Sequence, residues 1–101
     1  MNRQYQKGRE REYRTMQILR NEGWMVSRSA ASHGAVDVFA AKEGRLLLVQ
    51  VKSGRARVKK EELLELVRWG ESSNGDAEVW HFKARGRIEK RRVHAAKGGT
   101  R

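Results

Sequence analysis

The strongest constraint on this chain is a pair of apolar segments, Val36-Asp37-Val38-Phe39-Ala40-Ala41 and Leu46-Leu47-Leu48-Val49-Gln50-Val51-Lys52, joined by a short turn around Lys42-Glu43-Gly44. Both read as strands, and the turn pairs them as a hairpin. The first carries an acid among apolar neighbours, and the second closes on Gln-Val-Lys. Charge in an apolar strand is costly unless it is paired or ligated. A divalent cation beside a phosphate would satisfy the carboxylate and the lysine together, which points to metal-dependent phosphodiester chemistry.

The rest of the chain supplies the frame. Residues from about Gln4 to Asn21 read as a helix whose apolar members include Tyr13, Met16, Ile18 and Leu19. Trp24 to Arg28 reads as a strand running into the small-residue loop Ser29-Ala30-Ala31-Ser32-His33-Gly34. Lys60 to about Ser72 reads as a second helix, with Leu63, Leu64, Leu66, Val67 and Trp69 on a broad apolar face and Glu61, Glu62 and Glu65 outside. Glu78 to Lys83 and Arg87 to Val93 complete a set of strands, the last a basic edge strand. The order is α-β-β-β-α-β-β, an α/β fold with helices packed on a mixed central β-sheet.

Composition limits the partners. The chain has 101 residues, which suits one domain with one core, expected over 1–94 and followed by a flexible basic tail at 95–101. It carries 23 Lys and Arg against 12 Asp and Glu, a net charge of +11, which favours a polyanion such as DNA. No cysteine is present and the three histidines lack zinc-like spacing, so thiolate zinc sites and disulfides are excluded. The N-terminus has no signal-like apolar stretch and no run approaches transmembrane length, so a cytoplasmic protein without membrane contact is expected.

Spacing gathers the chemistry. Side chains alternate along a strand, so Leu46, Leu48, Gln50 and Lys52 share one face, and Leu47, Val49 and Val51 the other. Gln50 and Lys52 then point the same way, about 7 Å apart. Pairing around the turn brings Asp37 near Gln50. On the first helix, Glu12 precedes Met16 by four residues and Leu19 by seven, which aims it at the sheet.

The order Gly8-Arg9-Glu10-Arg11-Glu12, then Trp24 through the Arg28-Ser29-Ala30-Ala31-Ser32-His33-Gly34 loop to Asp37, then Val49-Gln50-Val51-Lys52, resembles the archaeal-type Holliday junction resolvases of the PD-(D/E)XK nuclease superfamily. The resemblance runs to about Val93. It implies a restriction-endonuclease-like fold and a homodimer that makes paired symmetric nicks in four-way DNA junctions. It also implies magnesium, with manganese as a substitute, and no small-molecule cofactor. Catalysis would fall to Glu12, Asp37, Gln50 and Lys52, with Arg28 and Ser32 close to the DNA.

Two positions depart from that family's pattern. Neutral Gln50 stands where an acid is usual, and Tyr13 follows Glu12 where an arginine is usual. A Gln carbonyl oxygen still suits magnesium, which takes oxygen ligands, but brings one less negative charge. In the implied mechanism Asp37, the Gln50 side chain and the Val51 main-chain carbonyl ligate the metal, with Glu12 beside them or acting through water. Lys52 orients the attacking water and stabilises transition-state charge. Arg9, Arg11 and Arg14 flank Glu12, while Arg55, Arg57, Lys59 and Lys60 follow Lys52, and both clusters are expected to hold phosphates, as is His33 in its loop. Trp69 and Trp80 read as core or interface residues rather than base-stacking platforms.

The residues leave other readings open. Asp…Gln-x-Lys marks the whole superfamily, so a restriction, repair or fork-nicking endonuclease also fits. A catalytically weak DNA-binding module would carry Gln50 too. A general RNA-binding protein is disfavoured by Asp37 and by the lack of RNA-binding signatures.

Overall fold

The structure, a computed structural model, describes residues 3–29 and 34–98. Its elements follow the expected order: α1 (Arg3–Asn21), β1 (Met25–Arg28), β2 (Val38–Lys42), β3 (Arg45–Ser53), α2 (Lys60–Ser73), β4 (Asp76–Phe82) and β5 (Ile88–His94), with a short 3-10 turn at Ala84–Gly86. The five strands lie in sequence order across one sheet. All neighbours are antiparallel except β3 and β4. A parallel pair needs a crossover connection, and α2 provides it.

The β2–β3 hairpin turns on Glu43 and Gly44, both at positive φ (51° and 79°). That is the backbone twist a tight two-residue hairpin favours, and it sets the register Lys42 to Arg45 and Val38 to Val49. The register puts the side chains on the faces that alternation predicts. Met16 and Leu19 of α1 pack with Val38, Ala40, Leu47, Val49, Trp80 and Phe82 on one side. Leu66 of α2 packs with Ala35, Val36, Leu48, Ala77 and Val79 on the other. β3 is thus covered on both faces, as its near-continuous apolar run requires. Burying Leu19, Leu48 or Leu66 fully is worth about 1.5–3 kcal/mol each. α2 comes close enough to β5 that a Cβ on Gly70 would lie 2.7–2.9 Å from the Nδ1, Cγ and Cβ atoms of His94, so a larger residue would force that side chain to shift.

Several expectations need correction. β2 begins at Val38, so Asp37 stands at the mouth of the strand rather than inside it. Tyr13 is 51% exposed; it lies at the flank of α1 under the Arg28 guanidinium, 5.0 Å from the ring centroid. The apolar face of α2 is narrower than expected. Leu66 is buried and Leu63 and Val67 are half-buried, but Leu64 sits about 200° round the helix from Leu66 and points to solvent. Trp69 is also largely exposed and meets Phe39 edge-on at 5.8 Å, whereas Trp80 is core. Glu62, placed outside on the grounds of its charge, turns inward one helical turn before Leu66.

In the segment expected as a tail, the Ala96 and Lys97 main-chain N–H groups donate to Asp76 and Asn74 side chains, each at 2.8 Å. Among the described residues no helix is long and apolar enough to cross a membrane.

Candidate active site

Asp37 is held at both ends by β3. Its main-chain N–H donates to the Val49 carbonyl at 2.8 Å, and its Oδ2 accepts the Val51 N–H at 2.7 Å. The side chain thereby takes the place of the next ladder carbonyl, and β2 parts from β3 at this point. Ser29 N–H, just past β1, donates to the Asp37 carbonyl at 2.9 Å and fixes the other side. Burial pushes the Asp37 carboxyl up, to about 6. The Val51 N–H and Lys52 pull against that shift, while Glu12 and Glu62 add to it.

Gln50 lies between the two β3 residues that grip Asp37. It is 3% exposed, and its Oε1 is buried with no hydrogen-bond partner. An unsatisfied buried acceptor costs about 1–3 kcal/mol, and nothing in the packing repays it. Alternation sets Gln50 and Lys52 on the α2 face of the sheet, the face that Phe39 shares.

Lys52 reaches toward α2. Its Nζ lies 3.2 Å from Glu62 Oε1 and donates to Oε2 at 3.3 Å. Glu62 is itself anchored, because Oε1 accepts the Lys59 main-chain N–H at 2.9 Å in the first turn of α2. Burial would raise the Glu62 carboxyl, but the Lys59 N–H and the Lys52 ammonium outweigh it and hold it below its ordinary value. Sequence reasoning missed Glu62. The signal was available: it precedes buried Leu66 by four residues, the same spacing that aimed Glu12 inward.

Glu12 arrives from α1, which covers the opposite face. It lies close enough for its charge to act on Asp37. Its Oε1 accepts from Arg28 Nη1 at 3.1 Å, and both side chains are partly buried. Arg28 therefore links Glu12, Tyr13 and the mouth of the site.

The expected phosphate contacts divide. Arg55, Arg57, Lys59 and Lys60 are exposed at the loop between Lys52 and α2, and Arg9 and Arg14 are exposed on α1. Arg14 donates weakly to Gln17 at 3.4 Å. Arg11 is half-buried with its guanidinium 5.8 Å over the Phe82 ring, and its Nε has no partner. Ser32 and His33 lie outside the described residues.

Among the described residues no three His, Cys, Asp or Glu side chains converge as a metal cluster. The donor set is mixed instead: the Asp37 carboxylate and the orphaned Gln50 carbonyl, both oxygens. Hard oxygen donors of this kind fit magnesium, which binds through few protein ligands and keeps several waters. A cation there would also satisfy the buried Gln50 Oε1, which among the described residues has no hydrogen-bond partner.

Residues 3–97 match the model of a family described as archaeal Holliday junction resolvase (hjc). The chain is similar in fold to Hjc, a Holliday junction resolvase from the archaeal hyperthermophile Archaeoglobus fulgidus, solved at 1.6 Å, with a TM-score of 0.76. The two are 21% identical, over 86% of this chain and 73% of that one. No curated protein sequence matches the chain.

Proposed function

Because this chain belongs to the archaeal Holliday junction resolvase family and is therefore a crossover junction endodeoxyribonuclease, we propose that Asp37, Gln50 and Lys52, with Glu12, form the site that hydrolyses a phosphodiester in a four-way DNA junction. The observation that carries this reading is the buried, partnerless Gln50 Oε1 beside a carboxylate that burial has raised. Asp37, the Gln50 side chain and the Val51 carbonyl would hold magnesium, with manganese able to substitute. When bound, the ion supplies Lewis-acid polarisation of the phosphate and eases deprotonation of the attacking water.

The chain's own groups do the rest. The Val51 N–H keeps the Asp37 carboxylate aimed past Gln50. Lys52 presents a fixed positive charge to the pentavalent transition state, where preorganised charge is worth most. Glu12, held by Arg28, orients a water from the other side of the sheet's end. The product is a 5′-phosphate and a 3′-hydroxyl. Arg28, Arg9, Arg11 and Arg14 border one side of the site and Arg55, Arg57, Lys59 and Lys60 the other, which suits two backbones approaching it. Ser32, which follows Arg28 by four residues in the sequence, is assigned to the DNA on the family resemblance, and His33 as a phosphate contact from the sequence alone. Recognition is of junction shape, since no base-reading motif is present.

Two symmetric nicks require two sites, and one chain carries one, so the working unit is a two-fold dimer. Exposed Leu64 and Trp69 beside Phe39 offer an apolar contribution to its interface. Calorimetric titration of magnesium into the wild type and Asp37→Asn tests the metal assignment. Binding by the wild type and its loss in the variant are expected; equal binding by both would remove Asp37 from the ligand set.

A further inference from the structure

The reaction as read above leaves one charged side chain at the site without a task. Glu62 contacts Lys52 through both carboxylate oxygens, at 3.2 and 3.3 Å. It is not a free-swinging surface acid. The Lys59 N–H holds Oε1 at 2.9 Å, and the helix turn that carries Glu62 is pinned to the core by fully buried Leu66 one turn later. A chain of rigid connections therefore runs from the core through α2 to Glu62 and on to the ammonium of Lys52.

A lysine needs such an anchor here. Its four-carbon stem has many rotamers, and the net charge of +11 pushes an unpaired ammonium away from its neighbours. A carboxylate at position 50, two residues away on the same strand face, could restrain it, but this chain has neutral Gln50 there. Glu62 reaches the same ammonium from the helix instead.

We propose that Glu62 is a positioning residue for Lys52: it fixes the ammonium beside the Asp37–Gln50 pair and returns to the site the negative charge that Gln50 does not carry. The inference rests on the reading of Lys52 as catalytic. Glu62 acts through Lys52, because both of its carboxylate oxygens are engaged by the Lys52 ammonium and the Lys59 N–H. Asp37 also lies within its field, to a smaller extent than within that of Glu12.

Glu62→Gln separates this role from helix capping, because a Gln carbonyl can still accept the Lys59 N–H while the charge is lost. Single-turnover cleavage of a labelled four-way junction, at saturating protein and magnesium, is expected to slow about 10- to 100-fold, the scale of a misplaced catalytic group. Metal-free junction affinity should stay within about twofold, and the thermal midpoint should not move. A readout independent of cleavage is the Lys52 Nζ–H resonance in metal-free, DNA-free protein, assigned by its loss in Lys52→Ala. It should be visible in the wild type and absent in Glu62→Gln. An unchanged cleavage rate, or a resonance that persists in Glu62→Gln, would overturn the inference. So would a rate loss matched by equal losses of affinity and thermal stability, which would make Glu62 structural. Wild-type cleavage by Lys52→Ala would instead overturn the catalytic reading of Lys52 and leave the ion pair, read by the resonance, standing.

Discussion

Asp37 accepts the Val51 main-chain N–H at 2.7 Å, at the point where the β2–β3 ladder would otherwise continue. This one substitution of a side chain for a main-chain carbonyl shapes the proposed site. It ends β2 at Val38, largely buries the carboxylate and fixes it to β3 on either side of Gln50. The cost appears as the raised carboxyl of Asp37.

That cost has a sign that can be measured. The Asp37 carboxyl rises from 3.8 to about 6 on folding, so the folded protein holds this proton more tightly than the unfolded chain. The resulting stability is present below about pH 4 and is lost as pH rises through about 6, a loss of about 2–3 kcal/mol by neutral pH. Asp37→Asn keeps an acceptor for the Val51 N–H and removes the buried charge. In chelator it should raise the urea midpoint at pH 7.5 and leave it unchanged near pH 4, while abolishing cleavage and leaving junction affinity within a few-fold. A variant less stable than the wild type at pH 7.5 would mean that the carboxylate is stabilised by something other than a bound cation.

Gln50 gives a second contrast. Gln50→Glu is nearly isosteric and adds a charge where a cation is expected, so cleavage should reach half-maximum at lower magnesium. Without metal the same change sets two carboxylates side by side and should lower stability. Gln50→Ala removes the bare acceptor and should raise the magnesium requirement or slow the rate. Three superimposable magnesium curves would show that the Gln50 carbonyl never meets the metal.

Arg28 should contribute to DNA binding as a phosphate contact. Neutralising one phosphate contact lowers the slope of log affinity against log salt by about 1, so Arg28→Ala should weaken junction binding and flatten the slope by that amount. An unchanged slope would confine Arg28 to its ion pair with Glu12.

Assembly is open to a direct measurement. Leu64 is 55% exposed on the outer side of α2, and Trp69 is 44% exposed at its flank against Phe39. Leu64→Lys leaves the core untouched, so it should convert a sedimenting dimer to a folded monomer that no longer makes paired nicks. A wild-type protein that remains monomeric at micromolar concentration, alone and on the junction, would exclude the two-fold arrangement.

Much of the fold was legible because period-two alternation is unambiguous when a strand is buried on both faces. Leu46 to Lys52 sorted correctly onto two faces, and the hairpin turn set the register that pairs Val38 with Val49 and leaves Asp37 at the Val51 N–H. Helical spacing likewise aimed Glu12 inward. Legibility failed where charge or hydrophobicity was taken as a proxy for direction. Glu62 was assigned to solvent because it is charged, and Leu64 to the core because it is apolar; geometry relative to Leu66 reverses both. Tyr13 was drawn from the apolar side by Arg28, a partner distant in sequence that no local pattern reveals. That Asp37 would replace a ladder carbonyl, and so sit before its strand, is a tertiary event that strand propensity does not encode.

The most direct test of the account is cleavage of end-labelled four-way junction and of linear duplex by the wild type and Asp37→Asn, with magnesium and with chelator. The account predicts paired, symmetric nicks in the junction by the wild type with magnesium, and none in the duplex, in chelator or with the variant. Cleavage by Asp37→Asn at the wild-type rate, or cleavage that persists in chelator, would contradict it.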